Sequence, residues 1–228
     1  MHTLVIALLA CIICHYNLSL STLRIVCTAA LIDDKFDMRK TEYIKCFKAL
    51  ANYGYTNPYI IEAIKGQGPT FLDNYSTNVF YSQAHDFTIK DIRNKGINEA
   101  RTMLDGFNHF KFHPNDMLLK LTGRYHLKSD KFIQLIRKNP HVDIFVKLIH
   151  NKTWPITGCF AMRYRYFKDM LENLDYKHME ANFIYLEAKV MDYINKLLET
   201  PSVKIMFVKK LDLSANIMGS GHYWLIKL

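Results

Sequence analysis

The 228-residue chain has no Walker-type phosphate loop, no G-x-S-x-G elbow and no G-x-G-x-x-G fingerprint. These absences exclude the ready-made signatures of P-loop hydrolysis, serine hydrolysis and dinucleotide redox chemistry. "GSGH" at 219–222 follows a strand-like run but has no helix behind it. The ten histidines are scattered, and His113, Asp116 and His126 lack metal-ligand spacing, which argues against a zinc site. Cys27, Cys46 and Cys159 are far apart and odd in number, so they imply no disulfide framework. Cys11 and Cys14 sit inside an apolar run with no second pair to complete a metal site. Internal repeats and low-complexity tracts are absent as well, which excludes solenoid and fibrous architectures. What remains is a composition of 50% hydrophobic and 22% charged residues, long enough for one compact domain.

Acidic residues are the scarcer charge. Thirty Lys and Arg against twenty-one Asp and Glu leave a net charge of +9, which favours anionic partners, although a basic balance also arises from solubility alone. The first 22 residues stand apart from the rest. Leu4 to Cys14 is an apolar run of eleven residues, short for a spanning helix and closer to a signal-peptide core. A basic leading segment and a clean cleavage site are both missing. Sequons at Asn17, Asn74 and Asn151 would suit a secretory lumen. The expectation is therefore a signal or membrane-anchor segment over 1–22, attachment to a membrane through it, and a domain over 23–228. A cytoplasmic protein with an apolar extension is the alternative.

From residue 23 the chain reads as alternating strands and helices. "LRIVCTAALI" (23–32), "PYIIEAI", "NVFYSQA", "DMLLKLTGRY" and "HVDIFVKLI" are strand-like runs. Between them, helical periodicity runs over 39–51, over "IRNKGINEARTMLDGFNHF" and over "SDKFIQLIRK", the last capped by Ser129 or Asp130. This alternation predicts an α/β fold with a mostly parallel central sheet flanked by helices. After Pro155 the pattern predicts a short strand into a helix, then one long helix over 178–200, then a strand and a glycine-rich tail.

In such sheets ligands lie beyond the carboxyl ends of the strands. Those ends carry Asp33 and Asp34, Glu62, Thr122, Gly123, Arg124 and Tyr125, and Lys147. Gly123 would let the backbone approach a ligand while Arg124 grips phosphate in two places. The same residues also suit an ordinary strand-to-turn junction. Arg93, Asn94 and Lys95 open a helix, where free N–H groups and the helix dipole favour an anion, and Asn98 and Arg101 continue that stripe. Glu180 and Glu187, seven residues apart, would share one side of a continuous helix among apolar neighbours, as a general base would. Surface glutamates on a wet face are the bland counterpart.

Taken in order, "NKGINEA", "LLKLTGRYHLKSDKF", "TGCFAMRYRYF" and "MEANFIYLE" resemble a glycosyltransferase of the GT-A fold. They are more closely similar to the small glycosyltransferase-like proteins of large DNA viruses and of some microbes. The resemblance implies a single GT-A-like, Rossmann-like domain and a hexosyltransferase-like activity. A sugar would pass from a nucleotide-diphosphate sugar to a hydroxyl on a glycan or glycoprotein, with no nucleic-acid partner. It also implies Mn²⁺ or Mg²⁺ with the donor, but the acidic metal motif is replaced by Thr122, Gly123, Arg124 and Tyr125, which leaves no metal ligand there. Arg124, helped by Lys120, Lys95 or the helix start at Asn94, would then meet the leaving diphosphate's charge. "TGCF", with Gly158, matches the strand that shapes the acceptor side. Glu180 matches the catalytic base, with Ala181 where an Asp is expected, so Glu187 is the second candidate. A non-catalytic basic binding protein and a degenerate, inactive transferase are the competing readings.

Overall fold

The computed structural model describes residues 22–30, 36–66, 68–88, 95–219 and 222–227. The apolar segment expected to be a signal or anchor lies outside them. Among the described residues no helix is long and apolar enough to cross a membrane.

The first half follows the predicted alternation. β1 (Leu23–Ala30), α1 (Phe36–Asn52), β2 (Tyr59–Ala63), β3 (Val79–Ser82), α2 (Lys95–Phe110) and β4 (Met117–Thr122) succeed one another, and β5 (Tyr125–Leu127) and α3 (Lys131–Lys138) follow. Asp130 takes the position before α3, but its carboxylate accepts from the Gln134 amide at 2.8 Å and does not cap the backbone. Then come β6 (Ile144–Val146), the hairpin of β7 (Leu148–Ile149) and β8 (Trp154–Pro155), β9 (Cys159–Arg163) and α4 (Tyr164–Glu172). The chain ends with α5 (Tyr176–Ala181), α6 (Leu186–Leu198), β10 (Ile205–Phe207), β11 (Leu213–Gly219) and β12 (His222–Lys227).

Seven strands form one sheet in the order β10-β6-β9-β4-β1-β2-β3. All run parallel except β9, which is antiparallel to both β4 and β6. The connection explains the exception: only a short hairpin links β6 to its neighbour β9, too short for the crossover a parallel pair needs. β4 is buried along its whole length because helices cover both faces of the sheet. Tyr43, Phe47 and Leu50 of α1 pack with Phe132 and Ile136 of α3 in one core. Met103 and Phe107 of α2, Phe167 of α4 and Ile194 of α6 pack in the other. The expected α/β class, with a mostly parallel central sheet flanked by helices, is the one observed.

Two expectations for the second half change. The long helix over 178–200 is two helices, broken at 182–185, where Asn182 ends α5 and Phe183 takes a left-handed φ of 53°. A bulky side chain there is unusual and stops the helix. Glu180 and Glu187 therefore do not share one helical face. The glycine-rich tail is a hairpin, β11–β12, and β11 pairs with β5, aligning Ala215 with Tyr125. It braces the segment that follows Arg124.

Cys27, Cys46 and Cys159 are all buried and free. A thiol hydrogen bond to Cys27, together with burial, raises Cys46 well above its ordinary value, and burial pushes Cys159 up to about 12. They behave as core residues rather than nucleophiles.

Candidate active site

The ends of β1, β4 and β9 are tied together by main-chain bonds. Thr122 N donates to Gly158 O at 2.8 Å, and Gly123 N donates to Thr28 O at 2.9 Å. The room beside Gly123 is filled from within the protein. A Cβ there would stand 2.6 Å from the Tyr43 ring, so glycine is required by Tyr43 rather than by a ligand's approach. Tyr43 in turn accepts from Ala30 N at 2.8 Å, closing the end of β1. Gly158 is constrained in the same way, since a Cβ would lie 2.2 Å from the Tyr125 ring.

Lys120 is wholly buried in the middle of β4. Its ammonium reaches Thr122 Oγ1 at 2.8 Å, the Thr157 carbonyl at 2.7 Å and Glu99 Oε1 at 2.7 Å. An ammonium has three donors, and all three are used, so Lys120 has none left for a phosphate. Glu99 also accepts from Thr28 Oγ1 at 2.9 Å and from Thr122 Oγ1 at 3.2 Å. Burial pushes its carboxyl up, but Lys120 and these donors prevail and hold it below the usual carboxylate range. Sequence reasoning missed Glu99. A lysine inside the apolar run "MLLKLT" was the available signal, because a buried ammonium requires a carboxylate partner.

Arg124 lies just past the end of β4 and is half-buried. Its Nη1 is shielded from solvent and has no hydrogen-bond partner among the described residues. The guanidinium charge favours the ionised forms of Tyr43, Tyr125 and Glu99, although burial dominates in both tyrosines and raises them. A buried N–H left unsatisfied costs about 1–3 kcal/mol, so this donor is open to a ligand or an ordered water.

The two candidate bases occupy different surroundings. Glu187, in the first turn of α6, accepts from Thr157 Oγ1 at 2.8 Å. Thr157 O is the acceptor for Lys120, so Glu187 is joined to Glu99, Thr122 and Thr28 through one continuous network. Its charge is also felt at Tyr125. Glu180 is exposed on α5, and its side chain makes no hydrogen bond or ion pair among the described residues.

Glu62, near the end of β2, is fully buried. Its Oε2 accepts from Thr70 Oγ1 at 2.8 Å, while Oε1 has no partner among the described residues. Burial, only partly offset by Thr70, raises its pKa from 4.5 to about 7. Below pH 4.5 the carboxyl is protonated in both folded and unfolded chains. Between pH 4.5 and 7 the unfolded chain releases the proton first, so stability falls as pH rises and the loss levels off above pH 7. The shift corresponds to roughly 3 kcal/mol. Glu62→Gln is expected to be more stable than the unaltered chain at pH 8 and to lose that advantage near pH 4.5. Urea unfolding at both pH values measures this, and an equal difference at both would refute it.

Asn98 is buried in α2, donating to Asp86 O at 2.8 Å and accepting from Asp86 N at 2.9 Å, so its amide pins the loop before the helix. Lys95 is exposed at the first residue of α2. Asp33 and Asn94 lie outside the described residues. Among the described residues no three His, Cys, Asp or Glu side chains converge as a metal site. The carboxylate nearest the end of β4, Glu99, is already paired with Lys120, so these residues do not fit a divalent cation. The structure brings together Arg124, Lys120, Thr122, Tyr125 and Glu187, with Gly123 and Gly158 as the packing that seats them. Glu180 lies apart from that network.

The sequence matches no family model and no curated protein. Among solved structures, the chain is similar to a glycosyltransferase involved in glycosylation of the major capsid of PBCV-1, at 9% identity over 82% of this chain and 84% of that one, with a TM-score of 0.47. It is also similar to a cytidylyltransferase from Leptospira borgpetersenii serovar Hardjo-bovis, at 10% identity, 83% and 77% coverage and a TM-score of 0.49. Mouse xyloside xylosyltransferase 1 in its apo form is similar at 8% identity, 82% and 85% coverage and a TM-score of 0.46. At 8–10% identity, these similarities speak to no individual residue of the site.

Proposed function

We propose that the chain is a glycosyltransferase that moves a sugar from a nucleotide-diphosphate sugar to a hydroxyl on a glycan or glycoprotein. The observation that carries this reading is Arg124, a cation beyond the carboxyl end of the central strand whose buried Nη1 has no partner among the described residues. The four ordered sequence pieces supply the family expectation, and the network of Lys120, Glu99, Thr157 and Glu187 supplies a rigid frame. In the reaction, the acceptor oxygen forms a bond to the anomeric carbon as the carbon–oxygen bond to the diphosphate breaks. The electron pair leaves with the nucleoside diphosphate, whose growing charge Arg124 meets. Glu187 takes the acceptor's proton. Lys120 keeps Thr122 and Thr157 in place and does not touch the donor.

The test is a thermal-shift screen of UDP- and GDP-sugars, each with Mn²⁺, Mg²⁺ or EDTA, because a ligand bound to the folded state raises its apparent stability. At least one nucleotide sugar should raise the Tm, and the shift should survive EDTA. No shift from any nucleotide sugar under any condition would overturn the reading. Arg124→Ala should weaken donor binding about 10- to 100-fold, the loss expected of charge-assisted hydrogen bonds of about 1.5–3 kcal/mol. The apo protein should lose little stability, because the deleted Nη1 has no partner among the described residues. Destabilisation of the apo protein with unchanged donor affinity would make Arg124 a structural residue.

A further inference from the structure

Close in sequence to Thr157 and Glu187 of the network lie aromatic side chains to which the proposed chemistry gives no role. Tyr185 is 42% exposed and Phe183 44% exposed, although both are large and apolar. Trp154, half-buried, meets Tyr185 edge to face with ring centroids 5.7 Å apart. These rings come from two segments, the β8 end of the hairpin and the break between α5 and α6. The Thr157–Glu187 hydrogen bond joins those segments, since Thr157 is three residues beyond Trp154 and Glu187 two beyond Tyr185. Tyr185 and the carboxylate proposed as the base thus stand two residues apart at the start of α6. Phe183 has a left-handed φ of 53°, and Tyr185 stands at the N-cap of α6.

Exposed aromatic groups clustered beside a polar site mark a binding surface, and Tyr and Trp suit a ligand that is apolar on one side and wet on the other. A pyranose ring has that character, with an axial C–H face and a rim of hydroxyls. We propose that Trp154 and Tyr185 form the surface against which a sugar ring of the glycan acceptor stacks. An acceptor hydroxyl then lies toward Glu187. The inference rests on the transferase reading and narrows its acceptor to a glycan presented through a sugar ring.

The sequence has two tryptophans, so Trp224→Phe leaves Trp154 as the sole reporter in the full-length chain. Its fluorescence would be followed while cello-, malto-, xylo- and chito-oligosaccharides are added, with donor binding measured separately by thermal shift. A saturable change is expected with at least one oligosaccharide, weakened at least 10-fold by Tyr185→Ala, with donor affinity unchanged. Tyr185→Ala should fold, because the Tyr185 side chain makes no capping hydrogen bond to α6. If Trp224→Phe misfolds, saturation-transfer NMR on the unaltered chain gives the same reading. Donor binding without any oligosaccharide response overturns the stacking surface and leaves the transferase reading standing. An oligosaccharide response without donor binding does the reverse. Concentration-dependent self-association abolished by Tyr185→Ala would assign the surface to a second copy of the chain, and binding of unglycosylated peptides in place of sugars would also overturn the proposal.

Discussion

Glu187→Gln is expected to lower turnover by about 10²–10⁴, the usual contribution of a positioned general base, while donor affinity stays within a few-fold of the unaltered chain. Gln keeps the size of the side chain and can still accept from Thr157 Oγ1, which Glu187 does at 2.8 Å. The substitution therefore removes basicity with little disturbance of the frame. Glu180→Gln should leave turnover nearly unchanged, since that side chain is exposed on α5 and outside the network. Steady-state kinetics on both variants, with donor Kd from thermal shift, separates proton removal from binding. Full activity in Glu187→Gln together with a large loss in Glu180→Gln would restore the residue that the sequence resemblance favoured. Equal losses in kcat and donor affinity would mean that Glu187 holds the site's shape and does not act as the base.

The second large effect is on stability. Lys120→Met should cost roughly 3–5 kcal/mol, because removing one member of a buried pair strands the other. The lower end is expected, since the Glu99 side chain keeps 27% exposure and water can reach it. The Thr157 carbonyl also loses its 2.7 Å partner. The added substitution Glu99→Gln should recover part of the loss, because it removes the stranded charge, and the double-mutant cycle measures the coupling. Denaturant unfolding of the four proteins reads it directly. If the two single effects simply add, Lys120 and Glu99 are not an energetic unit and the frame proposed for Thr157 and Glu187 fails.

The strands and helices of the first half were legible because their signals are local. The apolar runs containing β1, β2 and β4 can be buried on both faces only inside a covered sheet, and the 3.6-residue stripe of α2 needs a core on one side. The second half was less legible because its outcomes depend on partners. The apolar texture of 178–200 suits one long helix, but the chain breaks at Asn182–Tyr185 to place Met179 and Leu186 in the interior. β9 has a strand's composition, yet its direction follows from the short hairpin before it. Glu62 and Thr122 could be named as strand-end residues from sequence alone. The burial of Glu62 and the engagement of Thr122 with Lys120 and Glu99 required the fold.

The sequence by itself determined an α/β chain with a basic residue, Arg124, beyond the central strand, because hydrophobic periodicity and residue chemistry act over short stretches; that an acidic motif would stand there was the implication of the family resemblance. Only the tertiary structure decided that Lys120 is committed to Glu99, that Glu187 rather than Glu180 joins the network, and that Trp154 meets Tyr185. Each of these pairings joins residues from different elements, and the hydrogen bonds, burial and ring contacts that define them arise only when packing brings those elements together.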